Sequence, residues 1–137
     1  MEALREPPAP MPSDHRVVRV LIVDDQERFR AAARLLLEAT PGFVSVAEAG
    51  TGEEGVAVAL RERIDLVLMD VRLPGIDGIE ATRRVRVARP GIEVVLISAT
   101  ARELPEDAAG CGALAVLPKD ELRPSVLVGL WERAGRP

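Results

Sequence analysis

Three aspartates, a serine and a lysine in this 137-residue chain could act together. Asp24 and Asp25 follow the run VVRVLIV (17–23), and Asp70 follows LVLM (66–69). Ser98 closes IEVVLIS (92–98), and Lys119 comes just after ALAVL (113–117). Each polar group thus stands at the C-terminal end of an apolar run. Singly, each has a bland explanation: strands end at the surface, and Asp suits turns. Jointly they suggest more. In an open parallel sheet the C-terminal strand ends form one rim, and ligands bind there, where the strand order reverses. If that order is 2-1-3-4-5, strands one and three are neighbours across that point and the three carboxylates converge.

Convergence is costly. Two carboxylates about 4 Å apart repel by about 4 kcal/mol at an effective dielectric near 20, against a net domain stability of about 5–15 kcal/mol. A passive role would not normally be built this way. A hard divalent cation removes the repulsion, and Mg2+ takes oxygen ligands, usually one or two carboxylates with phosphate oxygens and water. Lys119 adds a fixed positive charge and Ser98 a hydroxyl donor. The combination is a cage for a tetrahedral anion on Asp70. A carboxylate can attack phosphorus to form an acyl phosphate, with metal and lysine stabilising the oxygens in transit.

The elements that must hold these groups alternate along the chain. After the strand at 17–23, Phe29, Ala32, Ala33, Leu36 and Leu37 fall at helical spacing, stopped by Pro41-Gly42. FVSVAEA (43–49) alternates like a strand. Thr51 and Glu54 have capping-box spacing and open a second helix. A strand at 65–69, a helix from Asp77 to about Arg89 and a strand at 92–98 follow. Residues 102–109 read as a weak helix interrupted by Pro105, 113–117 as the fifth strand, and Pro124 starts a last helix. Five strands alternating with five helices imply a doubly wound α/β fold, a parallel sheet covered on both faces. Runs such as VVLI and LVLM are apolar on both sides, as doubly covered strands should be. Residues 1–16 carry Pro7, Pro8, Pro10 and Pro12 and read as a flexible leader, which leaves 17–137 as one domain.

Composition narrows the function. Hydrophobic residues make up 47% of the chain and aromatics 2%, so the core must be Val, Leu, Ile and Ala. A net charge of −4 gives no global attraction to nucleic acid or an anionic membrane. Cys111, the one cysteine, excludes an internal disulfide and fits a reducing cytoplasm. No Cys or His spacing suggests zinc, no run of 18 apolar residues suggests a membrane span, and no apolar N-terminal stretch suggests a signal peptide.

The motifs VLIVDDQ, DLVLMDVRLPGIDGIEA, VVLISA and LPKD, in this order and each at a strand end, resemble the response-regulator receiver domain of two-component signalling, over about residues 19–133. The resemblance implies a flavodoxin-like order 2-1-3-4-5. It makes Asp70 the phosphoacceptor, with Asp24 and Asp25 holding Mg2+, Asp25 directly, and Asp70 and the backbone carbonyl of Arg72 as further ligands. Ser98 and Lys119 would contact the phosphoryl group. The donor would be a phosphohistidine on a sensor histidine kinase or phosphotransfer protein, and the outcome a change in binding to a downstream protein. Such a domain accepts a phosphoryl group and loses it slowly; it is not a turnover enzyme. Two departures stand out. Val116 takes the place where the family usually has Tyr or Phe, which puts the usual output switch in doubt. Pro118 precedes Lys119 and Asp120 follows it, which suggests a different loop geometry there.

Three rival readings compete. GTGEEG (50–55) fits G-x-G-x-x-G, follows a strand and opens a helix, and Asp70 lies 20 residues after Gly50, as in a dinucleotide-binding fingerprint. That reading leaves Asp24, Asp25, Ser98 and Lys119 unused, and a plain turn explains the glycines. A pseudo-receiver scaffold would keep the fold without the chemistry, yet all the reactive groups are present. A hydrolase using Asp70 transiently would need a second general acid or base. The arginines of RRVRVARP (83–90) read as a solvated helix face rather than a nucleic-acid site, and Trp131 as a packing residue.

Overall fold

Strands whose residues are apolar on both faces must be covered on both faces, and the chain folds accordingly. A computed structural model describes residues 17–99, 108 and 110–135. Its elements are β1 (Val18–Val23), α1 (Glu27–Glu38), β2 (Phe43–Ala49), α2 (Gly52–Arg61), β3 (Leu66–Asp70), α3 (Gly78–Ala88), β4 (Glu93–Ser98), β5 (Ala115–Pro118), a 3-10 turn at Lys119–Glu121 and α4 (Pro124–Arg133). The five strands form one parallel sheet in the order β2-β1-β3-β4-β5, as expected. The expected leader and nearly all of the weak helix at 102–109 lie outside the described residues.

Alternation along the strands divides the core in two. Leu21, Val23, Val67, Met69, Val94 and Leu96 pack on one side with Val58 and Ala59 of α2 and Ile79 and Val85 of α3. Val20, Ile22, Leu66, Leu68, Val95 and Ile97 pack on the other with Ala33 and Leu37 of α1 and Leu127 and Leu130 of α4. Each fully buried side chain of this kind contributes roughly 1.5–3 kcal/mol. Trp131 is half-buried in the second cluster, edge-on to Phe43 with ring centroids 6.4 Å apart, which is the packing role expected of it.

The helix starts follow their sequence signals. Thr51 accepts the Glu54 N–H at 3.0 Å, and the Glu54 carboxylate reaches back to the Gly50 N–H at 3.0 Å. Asp77 accepts the Glu80 N–H at 2.8 Å and caps α3. Pro124 takes the first turn of α4, where its missing N–H costs nothing. β1, β3 and β4 each start one residue later than expected, and two strands also end later. β3 runs one residue further, so that Asp70 is its last member and pairs with Ile97. β5 starts later and includes Pro118, which pairs with Ser98; on an edge strand the absent N–H is tolerated.

Candidate functional site

Register alone assembles the site. Val23 pairs with Met69, so the next residues, Asp24 and Asp70, emerge side by side. Asp70 pairs with Ile97, Ser98 with Pro118, and Lys119 follows. One carboxylate oxygen each from Asp24, Asp25 and Asp70 lies within 4.8 Å of the others. Asp25, Asp70, Arg72, Ser98 and Lys119 line an open cavity of about 370 Å3, with Gln26, Val71 and Ala99. All the residues singled out from the sequence therefore meet at one rim, with Asp24 buried just beneath it.

Burial and charge set the character of each group. Asp24 is fully buried; its Oδ1 accepts the Gln26 N–H at 2.8 Å, which leaves Oδ2 to Lys119. The Lys119 ammonium meets that Oδ2 as a close ion pair at 2.8 Å, lies 3.7 Å from Asp70 Oδ2, and sits 4.4 Å from the centre of the Phe29 ring. The Arg72 N–H donates to Asp70 Oδ1 at 3.3 Å. Burial first, and the Asp24 charge second, push the Asp70 carboxyl up to about 6; Lys119 and the Arg72 N–H oppose them. Asp25, in contrast, is exposed.

Three carboxylates against one ammonium leave an excess of negative charge. The donors are all carboxylate oxygens, one from each residue, within 4.8 Å of one another. Such a set suits a hard divalent cation.

Several supporting residues escaped the sequence reading. Arg30 donates to the Asp24 carbonyl at 2.7 Å and pairs with Glu48 at 3.1 Å, and Arg34 also pairs with Glu48. Phe29 lies against Lys119. Gly78 did not escape it: the Pro74-Gly75 and Asp77-Gly78 pairs read as shaping the loop after Asp70, and a Cβ on Gly78 would stand 1.9 Å from the Asp70 carbonyl oxygen, so only glycine lets α3 begin this close to the strand end. The position of Gln26, next to the acid pair at a helix start, was a usable signal; the contacts of Arg30 and Arg34 with Glu48 and of Phe29 with Lys119 join separate elements.

The glycines of GTGEEG have a packing explanation. A Cβ on Gly52 would meet the Ile76 carbonyl oxygen at 2.5 Å, and one on Gly55 would meet Val23 at 2.8 Å. The space a phosphate would need at Gly52 already holds that carbonyl oxygen. The α3 arginines are engaged as well. Arg83 and Arg84 pair with Glu80, and Arg86 donates to the Pro90 and Ile92 carbonyls. Val116 is half-buried and already packed against the α2–α3 side of the core. Among the described residues, no helix is long and apolar enough to cross a membrane.

The family model described as response regulator receiver domain matches residues 20–129. Response regulator UvrY of Escherichia coli (strain K12) is 36% identical over 104 residues, which cover 75% of this chain and 48% of that protein. The chain thus spans about half the length of that curated relative. The signal receiver domain of the putative response regulator NarL from Mycobacterium tuberculosis superposes with a TM-score of 0.77 at 29% identity, covering 88% of this chain and 98% of the other. CheY in the CheX-CheY-BeF3-Mg+2 complex from Borrelia burgdorferi gives a TM-score of 0.72 at 27% identity, covering 88% and 90%.

Proposed function

The chain belongs to the response regulator receiver domain family, and from that premise we propose that Asp70 accepts a phosphoryl group from a phosphohistidine of a partner kinase or phosphotransfer protein. The observation that carries this reading is the arrangement of Lys119 between Asp24 and Asp70, with Asp25 at hand, beside an open cavity. An Asp70 oxygen forms the new bond to phosphorus, the nitrogen–phosphorus bond of the donor breaks, and its electron pair returns to the imidazole.

Each residue has a task in that transfer. Lys119 lies within reach of the oxygens that gain charge, and Ser98 can donate its hydroxyl to one of them. The Arg72 N–H keeps Asp70 Oδ1 occupied, which leaves Oδ2 to attack. Asp24, Asp25, Asp70 and the Arg72 carbonyl would hold Mg2+, which when bound neutralises the acid cluster and the phosphoryl oxygens. The Borrelia relative, a complex with BeF3 and Mg2+, supports this reading by likeness.

The acceptor is stoichiometric and slowly self-hydrolysing rather than a turnover enzyme. We take residues 17–137 as the receiver, acting in the cytoplasm and altering the binding of a downstream protein. Intact mass after incubation with a small phosphodonor tests the whole reading. One phosphoryl group should add in the presence of Mg2+ and none with a chelator. Equal labelling in both would refute the metal-assisted mechanism, and no labelling in either would refute the acceptor.

A further inference from the structure

The motif GTGEEG, which caps and packs α2, also lies against the loop that follows Asp70. We propose that Gly52 and Glu53, at the start of α2, position this loop and thereby set how tightly the acid cluster holds a divalent cation. The proposal rests on the reading above, in which Asp24, Asp25, Asp70 and the Arg72 carbonyl form the cation site.

Three contacts carry it. The Ile76 N–H donates to Glu53 Oε2 at 3.1 Å. The Ile76 carbonyl oxygen lies 2.5 Å from where a Gly52 Cβ would stand, so the two backbones touch. Gly75, at φ +76°, turns its Cα toward the Glu53 carboxylate; a Cβ there would stand 2.5 Å from both oxygens. Near its ends the loop is tied by Val71 N–H to the Ile97 carbonyl at 2.9 Å, Arg72 N–H to Asp70 Oδ1 at 3.3 Å and Gly78 N–H to the Val71 carbonyl at 2.8 Å. Its middle is held by these contacts with α2, whose own start is fixed by Thr51 and Glu54, and by the packing of Leu73 and Ile76 on the core. Releasing residues 75 and 76 loosens residue 72, whose N–H donates to Asp70 Oδ1 and which lines the cavity. Groups that hold a metal ligand from behind act in this way.

The full chain with Mg2+ alone as probe tests this, by calorimetric titration and amide exchange over residues 71–77. Gly52→Ala, normally favourable in a helix, should weaken Mg2+ binding by about tenfold, and Glu53→Ala by about threefold, at or below the low end for second-layer groups. Glu53→Gln keeps an oxygen for the Ile76 N–H and should stay within about twofold of wild type. Gly50→Ala, whose Cβ makes only an ordinary 3.7 Å contact, should match wild type. Ile76 exchange should quicken in Glu53→Ala and not in Glu53→Gln. Equal weakening by Gln and Ala would show a charge effect and overturn the proposal, as would wild-type affinity in Gly52→Ala and Glu53→Ala. If Gly52→Ala does not fold, the Glu53 pair decides. If Asp25→Ala leaves wild-type Mg2+ binding intact, the cation-site reading fails instead, and unchanged Ile76 exchange in Glu53→Ala still refutes the loop contact by itself.

Discussion

The strand β3 has an aspartate at each end, Asp65 just before it and Asp70 as its last residue, and the two live in opposite surroundings. Asp65 and Arg19 close a reciprocal pair: the Arg19 N–H donates to Asp65 Oδ2 at 2.9 Å, and the Asp65 N–H to the Arg19 carbonyl at 2.8 Å. Around them, Arg19 Nε donates to the Arg63 carbonyl and Arg89 to the Ala59 and Glu62 carbonyls. Donors and acceptors are matched at that end. At the other, Asp70 is 7% exposed and shares one ammonium with the fully buried Asp24. The same residue type is a fastening at one end and, at the other, one of a crowded group of acids that share a single ammonium. The fold satisfies one aspartate locally and gathers three others where they repel, which is the contrast that the proposed cation site accounts for.

Exchanging each aspartate for its neutral isostere breaks or upholds this contrast most sharply. Asp70→Asn should abolish phosphodonor-dependent labelling, while Asp65→Asn keeps it, as read by intact mass. Labelling of Asp70→Asn at the wild-type level would move the acceptor elsewhere. The next largest effect is that of the cation. At a hundredfold excess over Kd, Mg2+ should stabilise the native state by about 2.7 kcal/mol. Asp25→Ala should remove that gain in thermal melts, and Asp65→Asn should not.

Stability without metal gives a smaller, pH-dependent signature. The Asp70 carboxyl is raised from 3.8 to about 6, so the folded state holds its proton more tightly than the unfolded one. As pH rises from about 4 to 6 the unfolded chain gives up this proton first, and the contribution of Asp70 to stability falls; above 6 the penalty is complete. Asp70→Asn cannot titrate. It should therefore be more stable than wild type at pH 7 in chelator, on the order of 1–2 kcal/mol once solvent screening at the open rim is allowed for. The difference should close as pH falls toward 4. Asp65→Asn should instead lose about 1 kcal/mol at pH 7, because its carboxylate accepts a backbone N–H. Denaturant unfolding at a series of pH values checks both signs.

The contrast also shows what the sequence could reveal. Apolar runs, turn residues and caps are local signals, so the parallel sheet and the placing of Asp24, Asp25, Asp70, Ser98 and Lys119 at strand ends were legible; the strand order came from the family resemblance, because no local signal says which strands are neighbours. That Asp70 belongs to β3 and Pro118 to β5 was not legible, because a ladder ends where its neighbour's register ends. Arg30, Phe29 and Glu53 were missed for a related reason. Their partners, Glu48, Lys119 and Ile76, are set by how helices dock on the sheet, and no spacing within one element announces them.

The smallest predicted effect concerns how the rim holds its cationic side chain. At the Asp65 end the positive partner is a backbone N–H, which is rigid. At the Asp70 end it is the ammonium of Lys119, on a long stem that must be ordered. Phe29 lies 4.4 Å from that ammonium and is itself fixed by packing against the α1–α4 side of the core. The ring face attracts a cation by about 0.5–1 kcal/mol at a partly exposed site. Asp24 and Asp70 attract it as well, so losing the ring should not release the lysine. A double-mutant cycle separates these terms. Phe29→Leu and Lys119→Met, alone and together, should show a coupling of about 0.5–1 kcal/mol in metal-free denaturant unfolding. Repeating the cycle with Phe29→Tyr should leave the coupling near zero, since the face is kept. A coupling of zero for Phe29→Leu would mean that the acids alone hold the ammonium. The two ends of β3 would then differ in charge and burial but not in the need for an aromatic support.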